Sequence, residues 1–270
     1  METIWTVFDD MPQAFEAEIA RLLPKVSAAR RRQALAFKFP AGQFACLKSY
    51  EMLHRLLEAQ GVVEPGEELE FEMGEHGKPF LKRPGVHFNL SHCPPAIAVM
   101  VGAQPVGIDV ERFVRTDRDL VRYSMSPAEE RQIADSACPE RTFSLLWTRK
   151  EALLKCHGTG ITDHLKECLD NLVTDFDESF SGADPESSAT PLDGTESSSE
   201  SPQILGALSE NTGQDYPVTK SIFGALPGNT CKSQPGTGLR KVWAGHGQGL
   251  RLESYVNEEK RYTLSLCRQI

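Results

Sequence analysis

The chain has 270 residues, of which 40% are hydrophobic and 25% charged, a composition typical of a folded protein with a buried core. Its formal net charge is −9, and no apolar run is long enough to span a membrane. The first residues lack the basic and apolar regions of a secretory signal, so we expect a cytoplasmic protein.

The negative charge is unevenly distributed along the chain. Residues 163–216 contain 13 acidic residues and one basic residue, whereas the rest contains 28 basic and 25 acidic residues. The rest of the chain is therefore mildly basic, which is compatible with an anionic ligand. We expect neither nucleic acid nor a membrane as a partner.

Seven cysteines are scattered along the chain, at positions 46, 93, 138, 156, 168, 231 and 267, and none forms a Cys-x-x-Cys pair. This spacing indicates neither a zinc site nor a disulfide framework, so reduced thiols are expected. Cys46, Cys156 and Cys267 have apolar neighbours and are interpreted as small core residues.

The first hundred residues predict a strand, three helices and then further strands. Residues 4–8 are β-branched and aromatic, which favours a strand. Prolines 12 and 24 bound a first helix, and Ser27 is a candidate N-cap for a second, with Ala34, Leu35 and Phe37 on its apolar side. A third helix is predicted over residues 41–60, followed by strands at residues 69–73, 86–90, 96–101 and 105–110.

The remainder predicts two helices, a long insertion and a final group of strands. Ser126-Pro127 is typical of a helix start, and a second helix over residues 140–157 should end at Gly158. Residues 175–238 are rich in Ser, Gly, Pro and acidic residues, so we predict a disordered insertion there. Strands are predicted at residues 241–243, 250–256 and 261–267.

Three carboxylates are candidates for a common site. Alternation along a strand places Asp109 and Glu111 on one face, while Glu151 lies one helical turn from Lys155. Three such oxygen donors suit Mg²⁺. The alternatives are a salt-bridged sheet edge, with Arg112 or Arg115 as the partner, and an ordinary surface ion pair.

Other short motifs are weak when each is taken alone. Ser91-His92, at the predicted exit of a strand, is more often a capping pair, and Gly77-Lys78-Pro79 is more often a simple turn. Trp147 on the second helix is interpreted as a packing residue.

Together, in this order and spacing, the motifs resemble those of the 4′-phosphopantetheinyl transferases, in particular the larger Sfp-type group. The resemblance covers residues 27–161 well and the last two strands loosely. Its motifs are Gly77-Lys78-Pro79, Phe88-Asn89-Leu90-Ser91-His92, Gly107-Ile108-Asp109-Val110-Glu111 and Trp147-Thr-Arg-Lys150-Glu151-Ala-Leu-Leu-Lys155, followed by Gly158-Thr-Gly160.

The resemblance implies transfer of phosphopantetheine from coenzyme A to a serine of an apo acyl or peptidyl carrier protein, with release of adenosine 3′,5′-bisphosphate. It implies Asp109, Glu111 and Glu151 as Mg²⁺ ligands, with Asp109 also beside the coenzyme. Glu151 is further implied as the general base, acting directly or through a water molecule, and Lys155 as a contact of the diphosphate.

The resemblance also implies a set of coenzyme A contacts. Ser91 and His92 would contact the 3′-phosphate, and Gly77, Lys78 and Pro79 the nucleotide. A basic phosphate contact is expected at Arg30, at Arg31 or near Lys48. Glu129 matches an acidic position of the family and also suits the first turn of a helix.

The fold implied is an α+β pseudo-dimer of two similar halves in a monomer, with coenzyme A between them. We expect an N-terminal half over residues 1–104 and a C-terminal half over residues 105–270, with the carrier contacting residues 161–173. Two other functions remain open. One is a non-catalytic coenzyme A or carrier-binding module, and the other is a metal-dependent nucleotide hydrolase.

Overall fold

Helices and strands alternate in two blocks along the chain. The structure is a computed structural model, and it describes residues 1–160, 165–177 and 238–270. The elements are β1 (Ile4–Phe8), α1 (Phe15–Leu22), a 3₁₀ helix (Leu23–Lys25), α2 (Ala28–Leu35), α3 (Pro40–Ala59), β2 (Phe71–Met73), β3 (Pro79–Leu81), β4 (His87–Cys93), β5 (Ala96–Gly102), β6 (Val106–Arg112), α4 (Arg118–Ser124), α5 (Pro127–Ala134), α6 (Pro139–His157), β7 (Val173–Asp177), β8 (Arg240–Gly247), β9 (Leu250–Asn257) and β10 (Tyr262–Gln269).

Each block builds its own antiparallel sheet, which confirms the predicted α+β class. The first sheet has the order β1-β5-β4 and packs against the N-terminal helices, α3 above all. The second has the order β6-β10-β9-β8-β7, and α6 lies across β6 and β10. Strands β2 and β3 form a separate hairpin. The predicted division between residues 104 and 105 falls in the connection from β5 to β6.

A shared apolar core joins the two sheets. Trp5 and Val7 of β1 pack with Ile108 and Val110 of β6, and Leu264 of β10 belongs to the same buried cluster. The predicted alternation of β6 is therefore confirmed, because its apolar side chains face this core. Each sheet also packs on helices of its own half, in two further buried clusters.

The seam between β4 and β6 is made by side chains instead of a backbone ladder. The Oδ1 atom of Asn89 accepts the backbone N–H of Ile108 at 2.8 Å, and Ser91 Oγ accepts that of Val110 at 3.2 Å. These bonds satisfy amides of a strand edge that has no neighbouring strand on that side. They also bring Ser91 next to the acidic face of β6.

Helix α6 is bounded by the residues that its sequence favours. Pro139 occupies the first turn, where its missing N–H costs nothing, and Gly158 ends the helix with a φ of 76°. The helix approaches β6 so closely that a Cβ on Gly107 would lie 2.0 Å from the carbonyl oxygen of Ala152. This position therefore requires glycine.

Several predicted boundaries in the N-terminal half were wrong. Helix α1 starts at Phe15 and α2 ends at Leu35, which leaves Leu35 52% and Phe37 41% exposed instead of buried. Strand β3 was missed, because its first residue, Pro79, was assigned to the turn. Strand β4 extends to Cys93, so Ser91 and His92 lie within the strand and not at its exit.

The C-terminal half differs from the prediction in two elements. Helix α4 was missed, and β7 includes residues 175–177, which were assigned to the insertion. The rest of the predicted disordered insertion, residues 178–237, lies outside the described residues. Within the described ranges, no helix combines the length and apolarity that a membrane crossing requires.

Candidate active site

Glu151 and Lys155 on α6 face β6 and not open solvent. The ammonium of Lys155 lies 2.5 Å from Asp109 Oδ1, and Glu151 Oε1 is buried and has no hydrogen-bond partner among the described residues. An ordinary surface ion pair between Glu151 and Lys155 is therefore the wrong interpretation.

Asp109 is the centre of this arrangement and is only 2% exposed. Its Oδ1 atom accepts hydrogen bonds from Ser91 Oγ at 2.8 Å and from Lys155 Nζ at 2.5 Å. Its Oδ2 atom is buried and has no hydrogen-bond partner in the part of the chain that the structure describes. The cation beside Asp109 is Lys155, and not Arg112 or Arg115 as the sheet-edge alternative supposed.

The electrostatics of the cluster show an excess of negative charge. Burial and the charge of Asp109 raise the pKa of Glu111 well above its ordinary value, and the same two causes raise the pKa of Glu151. Burial disfavours the ammonium of Lys155, but the charges of Asp109 and Glu151 outweigh it and raise its pKa. Among the described residues, Lys155 thus faces three carboxyl groups, and the further positive charge of Arg112 does not offset the raised pKa of Glu111.

The donor set fits a divalent cation in its chemistry. The described residues hold no group of three His, Cys, Asp or Glu side chains already arranged as a metal site. However, Asp109 Oδ2 and Glu151 Oε1 are buried acceptors without donors, an arrangement that is costly unless a cation or a proton satisfies them. Hard oxygen ligands of this kind are those that Mg²⁺ prefers.

Ser91 and His92 reach the cluster from β4. The hydroxyl of Ser91 donates to Asp109 and accepts from Val110 N–H and from Lys155 Nζ at 3.3 Å, so all of its hydrogen-bonding capacity is used. His92 is exposed when the whole residue is considered. Desolvation by the surrounding protein and the charge of Lys155 lower its pKa.

The β2–β3 hairpin brings Gly77, Lys78 and Pro79 to the end of α6. Gly77 has a φ of 78° in the turn, and Pro79 opens β3. Lys78 Nζ donates to the carbonyl oxygens of Val106, at 3.1 Å, and of Lys155. Burial lowers the pKa of Lys78.

The three basic residues of the N-terminal half have different surroundings. The guanidinium of Arg30 lies 5.2 Å and 5.0 Å from the ring centres of Tyr50 and Phe71, whereas Arg31 is exposed. Lys48 is 5% exposed and its Nζ lies 2.8 Å from Glu51 Oε2. Arg30 and Arg31 are therefore better placed than Lys48 to contact an added anion.

Comparisons with known proteins place the chain among related sequences. Residues 105–198 match the 4′-phosphopantetheinyl transferase superfamily. A 4′-phosphopantetheinyl transferase of Bacillus subtilis is 29% identical over 59% of this chain and 71% of its own length. The transferase psf-1 of Bacillus pumilus and HetI of a Nostoc species are each 30% identical, over 58% of this chain and 69% of their own lengths.

The chain belongs to the 4′-phosphopantetheinyl transferase family. The matched segment of this transferase begins just before β6 and contains all three carboxylates of the cluster together with Lys155. The Sfp-type resemblance is confirmed, since a transferase named Sfp, from Bacillus subtilis, is 25% identical over 71% of its length.

Two structural contributions were missed by the sequence reasoning. Asn89 was quoted within a motif without a role, although its two-residue spacing from Ser91 on a strand was the available signal. Lys150 is completely buried, and its Nζ lies 2.8 Å from Glu129 Oε2 and 2.8 Å from the carbonyl oxygen of Leu165. No local pattern indicates so buried a lysine.

Glu129 and Trp147 fulfil the structural expectations made for them. Glu129 accepts the N–H of Ser126 at 2.7 Å in a capping box at the start of α5. Trp147 is buried and stacks on Phe143 with ring centres 6.1 Å apart.

Proposed function

We propose that this protein transfers the 4′-phosphopantetheine group from coenzyme A to a serine hydroxyl of an apo acyl or peptidyl carrier protein. Adenosine 3′,5′-bisphosphate is the second product, and Mg²⁺ is required. The observation that carries the proposal is the cluster of Asp109, Glu111 and Glu151 beside the ammonium of Lys155, in which Asp109 is buried and the other two are partly buried. It lies within the segment that matches the transferase superfamily.

Glu151 is suited to accept the proton of the attacking serine. Its raised pKa makes it a stronger base than an ordinary carboxylate, and it would accept the proton directly or through a water molecule. The oxygen of the serine then forms a bond to the β-phosphorus of coenzyme A. The bond from that phosphorus to the bridging oxygen breaks, and adenosine 3′,5′-bisphosphate carries the electron pair away.

Lys155 supplies positive charge where the diphosphate would lie. Its ammonium is held by Asp109 and Ser91, so it is oriented before the substrate binds. His92 is accessible to solvent beside Lys155 and would contact the 3′-phosphate, with Ser91 fixing the strand. Arg30 or Arg31 would provide a further phosphate contact, and the Gly77-Lys78-Pro79 turn would border the nucleotide.

Asp109, Glu111 and Glu151 would hold the Mg²⁺ ion. When bound, the ion neutralises the excess carboxylate charge and polarises the phosphate oxygens. Asp109 Oδ2 and Glu151 Oε1, which accept no hydrogen bond from the described residues, are acceptors that such an ion would satisfy. All of these groups come from one chain, so we propose that a monomer is sufficient for activity.

The direct test incubates the protein with coenzyme A, Mg²⁺ and an apo carrier protein, and follows two products. Mass spectrometry reports the gain of one phosphopantetheine group on the carrier, and chromatography reports adenosine 3′,5′-bisphosphate. A carrier with its acceptor serine replaced by alanine is the matched control. A panel of fatty-acid, polyketide and peptide-synthetase carriers would identify the partner.

Each outcome of this assay decides between functions. Release of adenosine bisphosphate that requires the serine of the carrier supports transfer. Release without a carrier would instead support a hydrolase, and binding of coenzyme A without any release would support a non-catalytic module. Either of the last two results overturns the proposal.

A further inference from the structure

The side chain of Lys78 crosses from the N-terminal half to the C-terminal end of α6. Its Nζ donates to the carbonyl oxygen of Lys155, in the last turn of that helix, and to that of Val106, the first residue of β6. The stem of the side chain runs along Gly158, where an added Cβ would lie 3.5 Å from Lys78 Cδ. The ammonium therefore joins two separate elements, α6 and β6, while the stem of the side chain lies beside the residue that ends α6.

A hydrogen bond from Lys78 at this position stabilises the C-terminal end of α6. The last four carbonyl groups of an α-helix have no partner within the helix, and its last turn frays easily. In α6 the N–H of Gly158 donates to the carbonyl oxygen of Leu154, at 2.8 Å. Lys78 satisfies the next carbonyl, that of Lys155, and places a positive charge at the negative end of the helix dipole.

The second contact fixes the helix to the strand that carries the acidic residues. Val106 stands three residues before Asp109, and Gly107 between them allows α6 to approach β6 closely. The bond from Lys155 Nζ to Asp109 depends on the position of one helical turn relative to this strand. Lys78 joins that turn and that strand at their adjacent ends.

We propose that Lys78 is a positioning residue, whose ammonium fixes the last turn of α6 to the start of β6 and thereby aligns Lys155 and Glu151 with Asp109. This inference rests on the proposed function and assigns the ammonium to the protein itself instead of to a phosphate of the nucleotide. The backbone of the Gly77-Lys78-Pro79 turn remains free to border the nucleotide.

The test compares Lys78→Met with Lys82→Met in the complete protein. Methionine keeps most of the stem and removes the three N–H donors. Lys82 follows β3 of the same hairpin, is exposed, and pairs only loosely with Glu70, at 3.5 Å, so it is a matched control. Steady-state kcat and KM are measured with coenzyme A and with 3′-dephospho-coenzyme A, at a temperature at which circular dichroism shows each variant folded.

We expect Lys78→Met to lower kcat about 10-fold to 100-fold, because misplacement of reacting groups by an ångström costs this much. The loss of kcat should be the same with both substrates, and KM should stay within about threefold of the unaltered protein. Lys78→Arg, which keeps the charge and the donors, should recover part of kcat. Lys82→Met should change none of these values.

Three results would overturn the inference. A raised KM with unchanged kcat, or a loss that disappears with 3′-dephospho-coenzyme A, would show a direct contact of Lys78 with the substrate. A lowered melting temperature with unchanged kcat would show a purely structural role.

A second measurement does not depend on the proposed function. Amide hydrogen exchange across Leu154–His157 should be at least about 10-fold faster in Lys78→Met than in Lys82→Met, because the last turn of α6 loses its bridge. Unchanged exchange would contradict the inference even if the protein proved to have another activity. Conversely, failure of the wild-type protein to modify any carrier would remove the proposed function and leave this result intact.

Discussion

The two halves of the molecule treat buried carboxylates in opposite ways. In the N-terminal half, Glu51 on α3 is surrounded by cations: Lys48 Nζ lies 2.8 Å away, Arg21 3.2 Å and Arg55 3.3 Å. Burial would raise the pKa of Glu51, but the hydrogen bonds from Lys48 and Arg21 prevail and hold it at about 2.

In the C-terminal half, carboxylates outnumber the cations that lie beside them. Asp109, Glu111 and Glu151 share the ammonium of Lys155, and the pKa values of Glu111 and Glu151 are raised. The first cluster is satisfied by its own side chains and therefore stabilises the fold. The second lacks positive charge, as expected of a site that is completed by a ligand.

The largest effect should come from Glu151→Gln, which removes the proposed base and one negative charge. We expect kcat for transfer to fall by about 10³-fold, within the range usual for loss of a general base. The melting temperature should stay equal or rise, because repulsion with Asp109 is relieved. Steady-state transfer assays and differential scanning calorimetry measure the two effects.

Glu259→Gln is the matched control for this substitution, because Glu259 is an exposed residue of the β9–β10 turn. It should leave both kcat and the melting temperature unchanged. Wild-type kcat in Glu151→Gln would refute the role assigned to Glu151.

Glu51→Gln should lower stability and leave kcat nearly unchanged, the reverse of the result expected for Glu151→Gln. It leaves the ammonium of Lys48, which is 5% exposed, without its carboxylate partner, and we expect a loss of about 3 kcal/mol in the free energy of unfolding. The kcat of the folded variant should stay within about twofold of wild type. Urea unfolding at pH 7 provides the measurement, with Glu58→Gln on the same helix as the control.

The pH dependence of stability adds a check on the same residue. Since the folded pKa of Glu51 is about 2 and the reference value is 4.5, its contribution is complete above pH 4.5 and is lost as the pH falls toward 2. The stability of Glu51→Gln should therefore fall less steeply over this interval than that of wild type. Parallel curves would contradict the assignment.

Added Mg²⁺ should stabilise the protein by a smaller amount. With a dissociation constant on the order of 1 mM, 10 mM Mg²⁺ contributes about 1.4 kcal/mol to the free energy of unfolding. Because folding raises the pKa of Glu111, the contribution of this residue is present at low pH and is lost as the pH rises through its folded pKa. The ion should therefore stabilise more at pH 8 than at pH 5.

The control for this prediction uses NaCl at the same ionic strength and the variant Asp109→Asn. Thermal unfolding should show a Mg²⁺-dependent shift only in the wild-type protein. An equal shift in Asp109→Asn would place the ion elsewhere.

The smallest effect is expected when the chain between β7 and β8 is replaced by a short linker. The two strands pair directly, with Val173 opposite His246 and Asp177 opposite Trp243. A linker of about eight residues, which spans about 26 Å when extended, is thus sufficient to replace residues 178–237. We expect kcat to stay within about twofold; loss of folding or of transfer would show that this segment contributes to the fold or to the site.

Local patterns were sufficient to predict much of this architecture. The alternation in β6 placed Asp109 and Glu111 on one face, and the Ser27, Ser126 and Gly158 signals marked helix ends that the structure reproduces within a residue. These features depend on neighbours a few residues apart. The short elements β3 and α4 were missed because three to seven residues carry too little periodicity.

What the sequence did not reveal was the pairing of charges between distant elements. Lys155 could have paired with Glu151 on its own helix, but tertiary packing joins it to Asp109, 46 residues away. Lys150 on α6 likewise pairs with Glu129 on α5, 21 residues earlier in the chain. The partner of each charged side chain depends on which surfaces of the helices and strands pack together. Composition and residue spacing do not predict this packing.

The side-chain seam between β4 and β6 has a consequence for how copies of this protein behave in solution. A strand edge with unpaired amides is a template for another chain, and strands of this kind promote intermolecular pairing and aggregation. Here Asn89 and Ser91 accept hydrogen bonds from the amides of Ile108 and Val110, so these two amides of the acidic strand are not available to a strand of another molecule. The same two side chains that build the site thus protect its edge.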